Sequence, residues 1–428
     1  MSEPLRLGIA GLGTVGIGIV KIVQRHADLI ERRCGRRIVI TAVSARDRTK
    51  NRDADLSDYA WETDPVVLAR RADVDIFIEV MGGSEGAAQD ATRAAIEAGK
   101  DVVTANKALL AHHGQALAEA AEAKGRVIRF EAAVAGGIPV IKALTEGLAG
   151  NAITRVMGVM NGTCNYILTR MDSASLPYET VFEEARQLGY LEADPNLDVG
   201  GIDAGHKLSL LAAIAFGTRV SFDAVDLEGI GRISIDDIRR AGDMGFKIKL
   251  LGVAQMTGRG LEQRMSPCLV PADSPLGQLQ GGTNMVVLEG DSVGQIVLRG
   301  AGAGMGPTAS AVMADVIEIA RGCRLSTFGQ PAHTLAVPVA AKATAPAPYY
   351  LRMELQDKPG ALAKIATVLG ENGISIDRMR QYGHDAGTAP VLIVTHKTTR
   401  DAVDHAFHGV AGTGVVTGVP VAFRIEAV

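Results

Sequence analysis

The chain has 428 residues, of which 47% are hydrophobic and 21% charged, and its formal net charge is −4 at pH 7. A slightly acidic chain lacks the basic surface that phosphate backbones require, so nucleic acid is excluded as a main partner, and its apolar runs are too short to cross a membrane. The length leaves room for two or three domains with separate cores.

The cysteines indicate a reducing compartment. Cys34, Cys164, Cys268 and Cys323 are far apart and show neither disulfide nor metal-ligand spacing. The first strand-like run begins at Leu5, which leaves no room for a signal peptide. We therefore expect a cytoplasmic protein.

Strand and helix patterns alternate over residues 1–135. Strands are predicted over 5–10, 37–46, 74–80, 100–105 and 126–134, and helices over 18–33, 86–99 and 114–125. This alternation predicts a doubly wound parallel sheet.

The pattern changes after residue 135. Residues 136–304 indicate a second domain of α+β type, and a glycine loop near Gly300 feeds a helix that we expect to return to the first domain, with 305–335 completing it. Residues 336–348 contain three prolines among small residues and are predicted to be a linker. Residues 349–428 follow a βαββαβ order, which predicts a self-contained ferredoxin-like domain.

The motif "GLGTVG" places Gly11, Gly13 and Gly16 at G-x-G-x-x-G spacing between a predicted strand and a helix. Glycines there let the backbone turn sharply and approach a pyrophosphate at the helix N-terminus. Thr14 and Val15 lie inside the same turn. A glycine turn that serves packing alone is the alternative, but the flanking elements favour dinucleotide binding.

The second strand ends in "SARDRTK", which bears on the choice of dinucleotide. A guanidinium such as that of Arg46 suits the 2′-phosphate of NADP. Asp47 could instead serve the ribose of NAD, and a solvated basic turn is a third possibility. We favour NADP, with NAD as the alternative.

Two further motifs lie at predicted strand ends. Lys107 in "VVTANKALL" follows a buried strand, where open α/β sheets place ligands, although a solvated loop lysine has the same pattern. The glycines and proline of "FEAAVAGGIPV" force an irregular turn. That turn is either a hinge or a cation site built from its carbonyls and Glu131.

Acidic residues precede the most apolar helix of the chain, in the stretch from Gly189 to Gly217. Asp203 and Lys207 are four residues apart and share one helix face. A solvated ion pair there would contribute only about 0.3 kcal/mol. Because the helix that follows is apolar all round, we favour a proton-handling lysine held by nearby acids. "MNGTCNYIL" is predicted to be a polar turn with Cys164 as a packed thiol, and His206 is assigned no role.

Taken together, the chain resembles the bacterial homoserine dehydrogenases that carry a C-terminal ACT domain. The motifs that carry the resemblance lie in the family's order from about residue 5 to 320: "GLGTVG", "VVTANKALL", "EAAVAGGIPV", "NGTCNYIL", "GYLEADPNLDVGGIDAGHK" and "GAGAGMGPTASAV". The tail, with "DKPGALAKIATVLGENGISI", looks like an ACT domain. The resemblance implies a Rossmann-type domain, a catalytic and dimerisation domain over 136–304, and an ACT regulatory domain over 349–428.

The family reduces aspartate 4-semialdehyde to homoserine with a nicotinamide cofactor, on the route to threonine, methionine and isoleucine. The resemblance implies that Lys207 donates the proton to the carbonyl oxygen, with Lys107 assisting there and lying near the nicotinamide. The remaining implied roles are substrate binding by Glu192, orientation by Asp198 and Asp203, pocket lining by Gly162, Thr163 and Tyr190, and a cofactor contact by Gly304.

The resemblance also implies two regulatory or accessory sites. A monovalent cation, sodium, would be held by Glu131 and the carbonyls of Val134, Gly136 and Ile138. Threonine would bind the ACT domain as an allosteric ligand, at the positions Asp357, Gly360, Ala361 and Asn372. An ACT domain that only dimerises is the alternative, and the implied assembly is a homodimer or homotetramer.

Two residues depart from the family pattern: Cys164 replaces a hydroxyl residue and Leu191 a small one. The alternatives to this assignment are a related dehydrogenase or reductase acting on another amino-acid aldehyde, and a non-catalytic amino-acid-sensing protein.

Overall fold

The structure is a computed structural model that describes residues 3–192, 194–383 and 387–427. Its N-terminal unit is a parallel sheet in the order β3-β2-β1-β4-β5-β6, which confirms the predicted Rossmann-type fold. The strands are β1 (Leu5–Ala10), β2 (Ile38–Ser44), β3 (Ala60–Glu62), β4 (Ile76–Glu79), β5 (Asp101–Thr104) and β6 (Ile128–Arg129). β1, β2, β4 and β5 are short, mostly apolar and largely buried, as strands covered by crossover helices are, whereas the edge strand β3 is only partly buried.

The helices of this unit are α1 (Thr14–Cys34), α2 (Pro65–Arg70), α3 (Ala87–Glu97) and α4 (Lys107–Ala123). The sequence prediction missed β3 and α2, and it started the fourth helix at residue 114 instead of 107. Asn106 caps α4, because its side chain accepts a hydrogen bond from the backbone N–H of Leu109 at 3.0 Å. Lys107 is therefore the first residue of a helix and not a loop residue.

The second unit mixes helices with an antiparallel sheet. A 3₁₀ turn (Glu131–Ala133) and the short α5 (Val140–Lys142), continued by a π turn (Ala143–Gly147), lead into it. Its elements are β7 (Ile153–Val159), α6 (Gly162–Ala174), α7 (Tyr178–Gln187), α8 (Pro195–Val199), α9 (Ile202–Phe216), β8 (Asp226–Leu227), α10 (Ile235–Asp243), β9 (Phe246–Thr257), β10 (Gly260–Pro271), β11 (Thr283–Gly290) and β12 (Gly294–Ala301), with a 3₁₀ turn at Phe222–Ala224.

The chain then returns to the first unit through α11 (Met305–Ala320). This helix packs on α1 so closely that a Cβ at Gly18 would lie 2.9 Å from the Cβ of Ala309. Val312 and Val316 of α11 join the buried cluster formed by β1 and α1. A 3₁₀ turn at Ala332–Thr334 follows.

The C-terminal unit contains β13 (Tyr349–Gln356), α12 (Ala361–Glu371), β14 (Ile376–Gln381), β15 (Thr388–Thr395), α13 (Arg400–Gly412) and β16 (Val416–Ile425). Its βαββαβ order and its sheet order β16-β13-β15-β14 confirm the predicted ferredoxin-like fold.

This unit is not separate from the second one, contrary to the expectation of a self-contained domain. β16 pairs in parallel with β10 at Cys268↔Arg424 and Leu269↔Ile425, so a single sheet runs β12-β11-β7-β9-β10-β16-β13-β15-β14. The segment 336–348, expected as a linker, also pairs with β10, since the N–H of Leu261 donates to the carbonyl of Val339 at 2.8 Å. Among the described residues, every helix is too short or too polar to cross a bilayer.

Candidate active site

A cleft of about 580 Å³ opens at the carboxyl edge of the parallel sheet, where the second unit and the start of α11 close over it. It brings together residues that the sequence analysis predicted separately. The predicted residues that line it are Val15, Lys107, Gly136, Gly162, Thr163, Tyr190, Glu192, Asp198, Asp203, Lys207 and Gly304.

The glycine turn between β1 and α1 has the geometry of a dinucleotide cradle. Gly11 has φ +102, and a Cβ there would lie 2.6 Å from the carbonyl oxygen of Val80. A Cβ at Gly16 would lie 1.9 Å from the carbonyl of Gly11, so neither position accepts a side chain. At Gly13 a Cβ would meet nothing within 4 Å. The backbone at the start of α1, where Thr14 and Val15 follow, is therefore open to an anionic ligand.

The loop after β2 is basic and exposed, and it includes Arg46. The carboxylate of Asp47 is engaged locally, accepting from the N–H of Thr49 at 2.8 Å and its hydroxyl at 2.7 Å, which lowers the pKa of Asp47. Sequence reasoning missed Arg52, whose Nε donates to the carbonyl of Leu12 at 3.3 Å and so ties this loop to the glycine turn. Only its position in a basic run pointed to it.

Two ammonium groups share one carboxylate in the cleft. The Nζ of Lys107 lies 2.9 Å from Oδ1 of Asp203, and the Nζ of Lys207 donates to Oδ2 at 2.6 Å. Lys207 also donates to the carbonyl of Met160 at 2.9 Å. The predicted i, i+4 pair therefore exists, and the structure adds Lys107 to it from α4.

This arrangement fixes the charges of Asp203 and Lys107. Burial would raise the pKa of Asp203, but the two ammonium groups outweigh it and hold that pKa well below its ordinary value. Burial would lower the pKa of Lys107, but Asp203, with smaller contributions from Glu192 and Asp198, raises it above 10.5. Lys107 is therefore an ammonium and Asp203 a carboxylate at neutral pH.

Asn161 connects the other acids to this centre. It caps α6, so the predicted polar turn is the start of a helix: its Oδ1 accepts from the N–H of Cys164 at 2.8 Å. Its Nδ2 donates to Asp198 at 3.0 Å and to Asp203 at 3.2 Å. Asp198 in turn accepts from the N–H of Glu192 at 2.9 Å.

The remaining predicted substrate residues form one wall. Enclosure by the cleft raises the pKa of Glu192. The charge of Lys107 lowers it, and the charges of Asp203 and Asp198 raise it further. The hydroxyl of Thr163 donates to the carbonyl of Tyr190 at 2.9 Å, and the Tyr190 ring stacks on Tyr166 with centroids 4.5 Å apart.

Sequence reasoning missed Asn284, which is 1% exposed and lines the cleft beside Gly162. Among the described residues its Oδ1 has no hydrogen-bond partner. Nothing in the sequence around Asn284 distinguishes it, because its place in the cleft depends on the pairing of β11 with β7 and β12.

Two residues judged unimportant for chemistry are buried. The Cys164 thiol is fully covered and donates to the carbonyl of Asp198 at 3.3 Å, and burial raises its pKa, which suits a packed thiol. His206 packs against Phe222, with ring centroids 4.2 Å apart, and against His112. Burial, followed by the charge of His112, lowers the pKa of His206 to about 4.

The turn predicted to bind a cation lies at the junction of the units. Ala135 and Gly136 have φ values of 56 and 51, which turn the backbone sharply. The Glu131 carboxylate accepts from the N–H groups of Ile141 and Lys142, each at 2.9 Å. Burial, with repulsion from Asp315, raises the pKa of Glu131 to about 7. Among the described residues no group of three His, Cys, Asp or Glu side chains is placed to hold a metal.

Three of the residues predicted to bind threonine, Asp357, Gly360 and Ala361, lie at the loop from β13 to α12, and Asn372 lies at the other end of that helix. Gly360 has φ +84 and precedes Ala361 at the start of α12. The N–H of Asp357 donates to the carbonyl of Gly387 at 2.9 Å. The Asn372 side chain donates to the carbonyl of Val368 at 2.8 Å, inside its own helix.

Three family profiles match successive parts of the chain. The profile of the homoserine dehydrogenase NAD-binding domain matches residues 11–131, that of homoserine dehydrogenase matches residues 139–317, and that of the ACT domain matches residues 349–407.

Curated relatives match over the whole length. The homoserine dehydrogenase of Neisseria gonorrhoeae is 42% identical over 433 residues, covering 99% of this chain and 99% of that protein. The homoserine dehydrogenase of Pseudomonas aeruginosa is 40% identical over 433 residues with the same coverage of both.

Solved structures agree with these matches. A homoserine dehydrogenase from Thiobacillus denitrificans superimposes with a TM-score of 0.93 at 39% identity, over 99% of both chains. A hyperthermophilic archaeal homoserine dehydrogenase in complex with NADPH superimposes with a TM-score of 0.63 at 25% identity, over 74% of this chain and 97% of that one.

Proposed function

We propose, since this chain belongs to the homoserine dehydrogenase family, that Lys207 is the proton donor in the interconversion of aspartate 4-semialdehyde and homoserine. The observation that carries this proposal is the pair of ammonium groups on one buried carboxylate in the cleft beside the glycine turn. A nicotinamide dinucleotide supplies the hydride when bound, and Gly11, Gly13, Gly16, Thr14, Val15 and Gly304 would hold it.

Lys207 has the hydrogen-bonding capacity for this role. An ammonium has three N–H donors, and those of Lys207 are directed to Asp203 and Met160, which leaves one for a substrate carbonyl oxygen. As that oxygen gains negative charge, Lys207 passes it a proton and becomes a neutral amine, which solvent reprotonates. Lys107, kept charged by Asp203, stabilises the oxygen electrostatically.

The acids of the cleft suit an amino-acid substrate. We assign Glu192 to the substrate ammonium, because its carboxylate lies on the cleft wall. Asp198 holds the Glu192 backbone and, through Asn161, the orientation of Asp203. Gly162, Thr163 and Tyr190 form the wall against which the carbon chain lies.

We propose NADP as the preferred cofactor, with Arg46 binding its 2′-phosphate. The support is the engagement of Asp47 by Thr49, which occupies the carboxylate that would otherwise serve the ribose of NAD. Replacing Arg46 with Ala should raise the KM for NADP about tenfold and leave the KM for NAD unchanged. Equal effects on both cofactors would contradict the assignment.

We further propose that sodium binds at Glu131 and the carbonyls of Val134, Gly136 and Ile138. The two left-handed residues at 135 and 136 support this, because they redirect successive carbonyls within one turn. The thermal midpoint should fall when sodium is replaced by tetramethylammonium. An equal fall in the Glu131→Gln variant would exclude Glu131 as a ligand.

The regulatory proposals rest on the ACT domain. We propose that threonine binds at Asp357, Gly360, Ala361 and Asn372 and inhibits a cytoplasmic homodimer or homotetramer that serves threonine, methionine and isoleucine synthesis. The support is the glycine-containing loop at the start of α12 and the continuity of its sheet with the catalytic unit.

A steady-state assay tests these proposals together. Purified protein should reduce NADP when homoserine is added, more efficiently than NAD, and threonine should lower the rate. Activity with other amino-acid alcohols but not with homoserine would favour a related dehydrogenase. Threonine binding without turnover would favour a sensing protein.

A further inference from the structure

A second cavity, of about 740 Å³, lies between the catalytic unit and the ACT domain. Its floor is a gap in strand pairing along one edge of β10. β8 pairs with Arg264 and Met265, and β16 pairs with Cys268 and Leu269. The residues between them, Ser266 and Pro267, pair with neither strand and line the cavity. Proline has no N–H to donate, so neither strand can continue across the gap.

Exposed side chains of opposite charge line this cavity. Arg232 and Arg400 lie on its walls, as do Asp226 and Glu228. Among the described residues no ion pair joins Arg232 or Glu228 to a partner, although their charges interact. Burial, with Asp226, raises the pKa of Glu228, and Arg400 and Arg232 oppose that shift.

The other guanidinium groups of the cavity are already neutralised. Arg264 pairs with Glu262 at 3.0 Å, and Arg424 pairs with Glu426 at 2.6 Å. They make a fixed wall and leave Arg232, together with the donors of Arg400 that its ion pair with Asp404 does not use, to meet a ligand. Arg400 keeps donors beyond its Nε, which is the atom that contacts Asp404.

One polar group of the cavity lacks a partner. The hydroxyl of Thr344 is buried and, within the part of the chain that the structure describes, makes no hydrogen bond. A buried hydroxyl without a partner is destabilising, and a bound polar molecule could supply the missing hydrogen bond. Thr344 lies in the segment that joins the two units, so a ligand there would contact both.

We propose that this cavity binds a free α-amino acid, distinct from the ACT loop and from the reaction cleft. Its carboxylate would be held by Arg232 and Arg400 and its ammonium by Glu228 and Asp226, with Thr344 adding a hydrogen bond. A ligand with a single charge would leave one of these pairs without a counter-charge, so the geometry selects a zwitterion.

The cavity is coupled to the reaction cleft by a short route. Gly229, which follows Glu228, packs so tightly that a Cβ there would lie 2.3 Å from the carbonyl of Val199. The N–H of Ile230 donates to that carbonyl at 2.9 Å. Val199 ends α8, which carries Asp198, so a ligand that moves the 228–231 segment also moves an acid of the cleft.

Binding to the full-length protein tests this proposal without any assay of turnover. The common L-amino acids, homoserine excluded, are screened singly by thermal shift, and binders are measured by isothermal titration calorimetry. The N-acetyl and carboxamide derivatives of the best binder should each bind at least tenfold more weakly. Arg232→Ala, Arg400→Ala and Glu228→Gln should each weaken binding about tenfold or more.

Three matched variants separate the sites. Arg239→Ala removes an exposed arginine of α10 and should leave binding unchanged, as should Asp357→Ala in the ACT loop and Glu192→Gln in the reaction cleft. Binding that survives all three cavity variants but is lost in Asp357→Ala or Glu192→Gln would overturn the proposal. So would the failure of every L-amino acid to bind.

Discussion

Asp203 controls the charge of the reaction cleft. It is 6% exposed, and each of its oxygens contacts a different ammonium group. Without this carboxylate two like charges would be confined in a largely buried site, which favours loss of a proton from one of them. Its spacing from Lys207 was visible in the sequence as an i, i+4 pair. Its contact with Lys107 was not, because that contact depends on the packing of α4 against α9.

Replacing Asp203 with Asn should lower the pKa of Lys107. Burial then acts on the ammonium without the opposing carboxylate, so the alkaline limb of the kcat/KM profile should move to lower pH, and kcat should fall about 100-fold. Asp223→Asn, at an exposed residue, is the control. If kcat/KM, measured from pH 6 to 10.5, falls at the same alkaline pH in the Asp203 variant as in the unsubstituted enzyme, Asp203 does not hold the charge of Lys107.

At the scale of elements, α4 and α9 bring the two lysines together, and their interface contains His112 and His206 with Phe222. The helical character of α9 was predictable from its apolar sequence. The start of α4 was not predicted, although Asn106 has the side chain of a common N-cap. Residues 107–113 were not assigned to a helix, and a solvated loop was one alternative for Lys107, whereas the Asn106 side chain caps the helix that begins there.

The low pKa of His206 makes the stability of this interface depend on pH. Its folded pKa of about 4 is below the ordinary 6.5, so the unfolded chain binds a proton first as the pH falls. The contribution of neutral His206 to the free energy of unfolding should therefore be fully present above pH 6.5. It should be lost as the pH falls towards 4, a loss of up to about 3 kcal/mol. In urea unfolding at pH 7 and pH 5, His206→Leu should lose less stability than the unsubstituted chain, whereas His396→Leu, at an exposed site, should match it. If all three proteins lose the same free energy of unfolding between pH 7 and pH 5, His206 is not the source of the pH dependence.

Across the whole molecule, one continuous sheet joins the catalytic unit to the ACT domain. The order of the modules was predictable from the sequence, because each has its own motif and periodicity. The pairing of β16 with β10 was not, since it joins strands far apart in the chain and involves only two residue pairs. The prolines of 336–348 suggested a free linker, but this segment is held by hydrogen bonds to β10.

Glu426 makes several ionic contacts at that junction. It is 5% exposed and contacts Arg155, Arg264 and Arg424, and Arg264 is itself 3% exposed. Replacing Glu426 with Ala should lower the free energy of unfolding by about 3 kcal/mol, because it leaves buried guanidinium charge without its partner. Glu371→Ala, at an exposed helix end, should change it by less than about 0.5 kcal/mol. If urea denaturation gives equal midpoints for the two variants, the junction does not depend on this cluster.

The central claim is that the Lys207 ammonium delivers the proton while dinucleotide binding depends on other residues. Steady-state kinetics and NADPH titration of Lys207→Ala, beside Lys342→Ala at an exposed site, test it most directly. We predict a fall in kcat of about 10²- to 10⁴-fold for Lys207→Ala with an unchanged Kd for NADPH, and full activity for Lys342→Ala. Turnover by Lys207→Ala within a few-fold of the unsubstituted enzyme would contradict the account.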